Sequence, residues 1–166
     1  MIEKDDLKIR RMEFSDFALM MKWLNDPQVL KFYEEPPSDL ERIRQKYEPR
    51  IEGSHYVTPC IAMYKNQPIG YIQYYPIQEA DLNTYGLDQN VYGIDQFIGD
   101  PGLWGKGIGT ALIQLMLNHL GNESVSKVIL EVKNNNIRAI KSYGKCGFQK
   151  AMDINSEMSL MEYIIM

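Results

Sequence analysis

The stretch Trp104-Gly105-Lys106-Gly107-Ile108-Gly109-Thr110 constrains the fold of this chain more than any other. Three glycines alternate there. A β-prone segment, residues 89–99, runs into them, and helical spacing follows at Ile108, Ala111, Leu112, Leu115 and Met116, with a polar stripe at Thr110, Gln114 and Asn118. The pattern is strand, tight turn, helix. Glycine takes positive φ freely and lets backbone amides approach a ligand closely. The first N–H groups of a helix lack internal partners, and the helix dipole adds partial positive charge. Such a junction suits a phosphate or diphosphate, with Lys106 as a further donor at the rim. On glycine spacing alone an ordinary glycine-rich loop accounts for the pattern equally well. It is not a P-loop, because Ile108-Gly109 stands where Lys-Ser/Thr is required. Nor is it a dinucleotide fingerprint, which belongs to an early βαβ unit.

The rest of the chain alternates short strands and helices. Residues 7–12 read as a strand. Ser15 or Asp16 can cap a helix carrying Phe17, Met20, Met21 and Leu24, which Asn25-Asp26-Pro27 ends. Ser38 with Glu41 resembles a capping box for a second helix ending before Pro49. Residues 56–65 and 68–77, joined through Asn66-Gln67, form a hairpin. Residues 79–89 read as a polar loop and a possible lid. Residues 127–132 are strongly β-prone. Asn135 or Asn136 caps a helix over 137–146, Gly147 terminates it, and residues 148–152 and 158–165 close the fold as strands. No repeat or linker interrupts this order, so residues 1–166 form one α/β (α+β) domain. Its mixed central sheet has about six or seven strands, flanked by about four helices.

Composition narrows function. Hydrophobic residues make up 45% and charged residues 24%, a soluble globular profile. The formal net charge of −4 argues against nucleic acid as the partner, since phosphate backbones demand a basic surface. Cys60 and Cys146 have no CxxC context, and His55 and His119 lie far apart, so no metal site is expected. No run approaches a membrane span, and the first residues lack a secretory apolar stretch, so the expected location is cytoplasmic without membrane attachment.

Two motifs in order carry a family resemblance. Gly107 and Gly109 match the Gln/Arg-x-x-Gly-x-Gly/Ala hallmark of the GNAT acyl-CoA N-acyltransferases, with Trp104 in place of the first polar residue. Asn136-Ile137-Arg138-Ala139, then Tyr143 and Gly147-Phe148, resemble the second hallmark. The segment 91–99 with Trp104–Thr110 is similar to the aminoglycoside 6'-N-acetyltransferases. The likeness is strongest to the branch forming the acetyltransferase half of bifunctional acetyltransferase-phosphotransferases of Gram-positive bacteria, and that branch also carries Trp there. Met21-Lys22-Trp23-Leu24, Phe32-Tyr33 and Pro68-Ile69-Gly70-Tyr71 extend the likeness over nearly the whole chain.

The resemblance implies a GNAT fold and acetyl transfer from acetyl-CoA to the 6'-amine of an aminoglycoside, in a ternary complex. Alternatives are a GNAT enzyme acting on a peptide, protein or other small amine, and an acyl-CoA-binding sensor with little turnover. The chemistry needs an amine relieved of a proton, a stabilised oxyanion and a proton for the departing thiolate. Asp95 falls at the family's catalytic aspartate. Strand alternation sets it on one face with Val91, Gly93, Phe97 and Gly99, where partial desolvation suits a base. A structural aspartate, or a ligand for the substrate ammonium, are the other readings. Tyr143 matches the tyrosine near the coenzyme sulfur, as a proton donor or as a core aromatic.

Coenzyme contacts are implied at Phe97 and Ile98 (backbone), at Trp104, Gly105, Lys106, Gly107, Ile108, Gly109 and Thr110, and at Asn136, Ala139 and Tyr143. A polycationic substrate calls for carboxylates and aromatic faces. Asp95, Asp100, Glu131 and the Glu34-Glu35 pair supply the first, and Trp23, Tyr33, Tyr74 and Tyr75 the second. Core packing is the competing reading for each aromatic. Cys146 suggests an acetyl-cysteine only weakly, because no histidine lies near it in sequence. The oligomeric state is not legible in the sequence.

Overall fold

A computed structural model of the chain describes residues 1–33 and 36–166. Eight strands form one sheet: β1 (Ile2–Lys4), β2 (Leu7–Arg11), β3 (Thr58–Tyr64), β4 (Gln67–Pro76), β5 (Val91–Ile98), β6 (Lys127–Lys133), β7 (Gln149–Asp153) and β8 (Met158–Ile164). Their order is β1-β2-β3-β4-β5-β6-β8-β7, and β5–β6 is the parallel pair. The mixed α/β expectation holds with one extra strand. That strand, β1, is three residues long and too short to leave a periodic signal.

Six helices are present among the described residues: α1 (Phe17–Trp23), α2 (Pro27–Leu30), α3 (Leu40–Glu52), α4 (Glu79–Tyr85), α5 (Ile108–Gly121) and α6 (Ile137–Lys145). α1 and α3 cover one face of the sheet. Phe17, Met20, Trp23, Ile43 and Tyr47 pack there on Ile61, Tyr71 and Phe97. α5 covers the other through Leu112, Ile113, Met116 and Leu120, with α6 beside it through Ala139, Ile140 and Tyr143.

Several local expectations change. The segment expected as a polar loop contains α4, which begins with Glu79 and Asp81 and ends at Gly86 with φ +62°. It buries no residue completely, but Leu82 and Tyr85 pack on Val91, Ile129 and Leu160. α3 runs through Pro49 and stops at Gly53, whose φ is +81°. A proline that close to the helix end removes few hydrogen bonds. Its N-cap is Asp39, which accepts from the Arg42 amide, rather than Ser38. Asp16 does not cap α1. Its carboxylate accepts both Arg10 Nη1 and Nη2 at 2.8 Å and the Glu13 amide, a bidentate pairing that satisfies a buried charge. The hairpin turn has Lys65 and Asn66 at φ +49° and +61°, the two-residue form that follows strand twist.

The site depends on how β5 and β6 meet. They pair only at Val91↔Lys127, Tyr92↔Val128 and Gly93↔Ile129. β5 then continues to Ile98 along β4, and β6 to Lys133 along β8. Beyond Gly93 the two strands part and leave a gap in the middle of the sheet.

Candidate active site

The glycine turn stands at the mouth of that gap. Gly105 and Gly107 have φ of +73° and +79°. Gly107 is the N-cap of α5, and no side chain caps the helix. The Ala111 amide bonds back to the Gly107 carbonyl, so the amides of Ile108, Gly109 and Thr110 are the unpaired donors of the first turn. A non-glycine residue at 107 would resist this left-handed geometry. The cradle is therefore built from backbone, as a diphosphate requires.

Strand alternation decides which backbone groups face the gap. Gly99 N–H donates to the Ile69 carbonyl, so in the antiparallel register Phe97, Asp95 and Gly93 exchange bonds with β4. The polar backbone groups of Ile94, Gln96 and Ile98 turn toward β6 instead. This moves the expected strand-like docking from Phe97 to Gln96 and Ile98. The Ile98 carbonyl is already held by Trp104 Nε1–H at 3.0 Å. The Arg138 guanidinium stacks 3.9 Å from the Trp104 ring centroid, which fixes the indole from its other side.

A single cleft of about 610 Å³ passes through the gap. On the α5–α6 side it is lined by Gly105, Gly107, Gly109, Thr110, Asn136, Ala139 and Tyr143. On the opposite face Tyr33, Lys46, Gln73, Asp95 and Glu131 line it. One opening thus joins the α5–α6 face of the sheet to the α1–α3 face.

Asp95 lies half-buried on the α1–α3 face, as alternation requires. Gln73 Nε2 donates to its Oδ2 at 2.7 Å, and the Tyr75 side chain also bonds to it. Tyr75 gets there by lying flat over Gly93, where a Cβ would meet its ring at 2.4 Å. Burial, and then the charge of Asp95, push the Tyr75 phenol up. Gln73 is held in turn by Arg50 Nη1 at 2.8 Å and by the Tyr71 hydroxyl at 2.7 Å, both donating to its Oε1. Glu131 accepts from the Tyr85 hydroxyl of α4 at 2.8 Å, so the helix at 79–85 reaches the cleft.

Tyr143 lines the cleft from α6 and packs on Phe148. Burial, then the Asp95 charge, raise its phenol well above the usual tyrosine range. It stays protonated and can donate a hydrogen bond to a developing anion. Asn136 caps α6, its Oδ1 accepting from Ala139 N–H at 3.3 Å, which leaves its amide nitrogen to point at a ligand. Thr110 and Ser142 join α5 to α6 through their hydroxyls at 2.6 Å. Burial and then the Arg50 charge lower the Lys46 ammonium to about 8.

Some expected contacts lie elsewhere. Trp23 is buried over Gly99, where a Cβ would strike its ring at 2.2 Å, so it belongs to the α1–α3 core. Tyr74 faces the other layer and packs on His119. The Asp100 carboxylate accepts the Gly102 amide and caps the short turn after β5. Ile108 is buried in the core beneath α5, and the Lys106 side chain is not part of the cleft lining; both contribute backbone to the turn. Glu34 and Glu35 lie outside the described residues. Cys146 donates to the Thr110 carbonyl at 3.4 Å, and burial pushes its thiol up to about 11, so it is not a nucleophile. No cluster of metal ligands occurs among the described residues, and no helix there is long and apolar enough to cross a membrane. Sequence reading missed Gln73, Arg50 and Tyr85, whose partners lie 22, 23 and 46 residues away. The only signal for Gln73 was a polar side chain inside an otherwise apolar hairpin strand.

Residues 13–156 match the family model described as an acetyltransferase (GNAT) domain. The chain belongs to the GNAT acetyltransferase family. It is an acetyl-CoA-dependent N-acetyltransferase, and the uncapped α5 N-terminus together with the open β5–β6 gap fits that donor. A curated aminoglycoside N(6')-acetyltransferase type 1 of Klebsiella pneumoniae is 32% identical over 158 residues, covering 88% of this chain and 75% of the relative. A solved structure of AAC(6')-Ib in complex with ribostamycin and coenzyme A superposes with a TM-score of 0.84 at 29% identity, covering 96% of this chain and 94% of the other. A spermine/spermidine N(1)-acetyltransferase of Bacillus subtilis is 28% identical over 111 residues, 65% of this chain and 71% of the relative.

Proposed function

We propose that this GNAT enzyme is an aminoglycoside 6'-N-acetyltransferase working by direct transfer in a ternary complex. The observation that carries the reading is the single cleft through the sheet, with a backbone anion cradle on one side and two carboxylates, Asp95 and Glu131, on the other. A polycationic sugar needs acidic groups in the acceptor half, and Tyr33 adds an aromatic wall there. The similarity to aminoglycoside acetyltransferases supports the same substrate class.

Bound acetyl-CoA supplies a thioester acyl group. The amides of Ile108, Gly109 and Thr110 would hold its diphosphate, and the edge of β5 at Gln96 and Ile98, with Asn136 and Ala139, would receive its arm. On the acceptor side Asp95 takes the proton that the attacking amine must lose. Glu131 holds a second ammonium of the substrate. As the new carbon–nitrogen bond replaces the carbon–sulfur bond, the Tyr143 hydroxyl would stabilise the departing thiolate by a hydrogen bond. Cys146 takes no part, so no acetyl-enzyme forms.

Acetylation rates on aminoglycosides with and without a 6'-amine, beside spermine, spermidine and a lysine peptide, test the substrate. Turnover restricted to 6'-amino compounds is the expected result. A second reading, acylation of linear polyamines, has the Bacillus subtilis relative in its favour. It prevails if spermine is turned over and no aminoglycoside is.

A further inference from the structure

The acceptor half of the cleft has a buried layer behind it. Gln73 is 8% exposed and sits opposite Asp95 in the β4–β5 register. Its side chain is the bridge between Asp95 and two groups that cannot reach Asp95 themselves. Arg50, from α3, and Tyr71, two residues earlier on β4, both point hydrogens at the Gln73 oxygen.

A glutamine amide has one accepting end and one donating end, and in isolation it can sit either way round. Here two short donors converge on one end. Flipping the amide would set its NH₂ against the Arg50 guanidinium and the Tyr71 hydroxyl, and its oxygen against the Asp95 carboxylate. The Arg50 and Asp95 contacts would become repulsive or lose their hydrogen, while the Tyr71 hydroxyl could turn and accept instead. The donor-only guanidinium and the acceptor-only carboxylate therefore choose the orientation, and the amide N–H donates to Asp95 Oδ2. Tyr71 is completely buried, and Arg50 Nε is buried without a hydrogen-bond partner, so the cation has no competing bond at that nitrogen to draw it away.

We infer that Arg50 and Gln73 are positioning residues for Asp95: Arg50 locks the Gln73 amide, with Tyr71 as a further donor to its oxygen, so that the amide pins one carboxylate oxygen and turns the rest of the carboxylate to the cleft. Arg50 acts from α3 on the same face of the sheet and is not itself part of the cleft lining. The inference rests on Asp95 accepting the proton of the amine.

Three variants test it on the full chain: Gln73→Glu, Arg50→Leu and Arg50→Lys. Gln73→Glu keeps size and the acceptor for Arg50, but replaces the donor facing Asp95 with a carboxylate. Kinetics use whichever amine the unmodified enzyme turns over fastest. The expected result for Gln73→Glu and Arg50→Leu is a kcat lower by about tenfold, with KM for acetyl-CoA unchanged within about twofold. Arg50→Lys should regain most of the lost kcat. A second readout needs no turnover: the side-chain amide of Gln73, assigned by ¹H–¹⁵N spectra, should exchange slowly in the unmodified enzyme and quickly in Arg50→Leu. Unchanged kcat in Gln73→Glu, no recovery in Arg50→Lys, or identical Gln73 exchange in Arg50→Leu would each overturn the inference. If Asp95→Asn leaves kcat intact while Gln73 exchange still responds to Arg50, the proton-acceptor reading has failed and the lock has not.

Discussion

At the scale of single residues, roles follow from what each side chain already has as partners. Asp95 receives Gln73 and Tyr75 and still lines the cleft, so it is held rather than consumed by the fold. Asp100 has the same chemistry, but its carboxylate is spent on the Gly102 amide. Cys146 is held by burial and by the Thr110 carbonyl in its thiol form. Replacing Asp95 with Asn keeps its volume and removes its ability to accept a proton. Steady-state kinetics should show kcat lower by at least about tenfold, at the modest end of general-base effects. A rise in KM for the amine with kcat preserved would make Asp95 a binding residue and nothing more.

At the scale of elements, the proposed donor site turns on the N-terminus of α5. Its cap is a glycine in left-handed geometry with open space where a Cβ would sit, so the constraint at Gly107 is conformational rather than steric. Gly107→Ala should cost about 1–2 kcal/mol of stability for a left-handed alanine. It should also raise KM for acetyl-CoA, because the amides of the first turn shift. Gly144→Ala is the matching control. Gly144 lies within α6, also has open space, and has no positive φ, so alanine there should stabilise by about 0.5–1 kcal/mol. Thermal melts and acetyl-CoA titrations on the pair separate the two effects. If Gly107→Ala behaves like Gly144→Ala, the left-handed cap is not what shapes the cradle.

At the scale of the whole molecule, the sheet is both scaffold and aperture. Its eight strands are continuous except where β5 and β6 diverge, and helices on opposite faces supply opposite halves of one cleft. A ligand lying in that gap bridges the two halves and should stabilise the fold as a unit. Coenzyme A at about 100 times its Kd adds about 2.7 kcal/mol. For a domain of this length that is a rise in thermal midpoint of roughly 5–10 °C. Scanning calorimetry with coenzyme A, and with adenosine 3',5'-diphosphate lacking the arm, would show whether the strand gap contributes beyond the phosphate cradle. Equal shifts from both ligands would mean that it does not.

Much was legible before any tertiary contact was known. The strand–turn–helix around Gly107, the caps at Asn136 and Gly147, and the facing of Asp95 with Phe97 are local matters. They depend on glycine's backbone freedom, on side-chain capping and on the two-residue period of a strand, all of which operate within a few residues. α4 was not legible, because its Leu82 and Tyr85 pack on residues of three other segments rather than along a local apolar stripe. The aromatics were not separable either: Trp23, Tyr33 and Tyr74 are alike in sequence, and only packing sends one to each face and one to the cleft. The sequence by itself determined the strand–glycine turn–helix and the family. The tertiary structure decided the β5–β6 gap, and with it the joining of donor and acceptor sides and the Arg50–Gln73–Asp95 chain. Those depend on pairings between strands and helices far apart in the chain, where register is set by the burial of the whole sheet and not by any local run of residues.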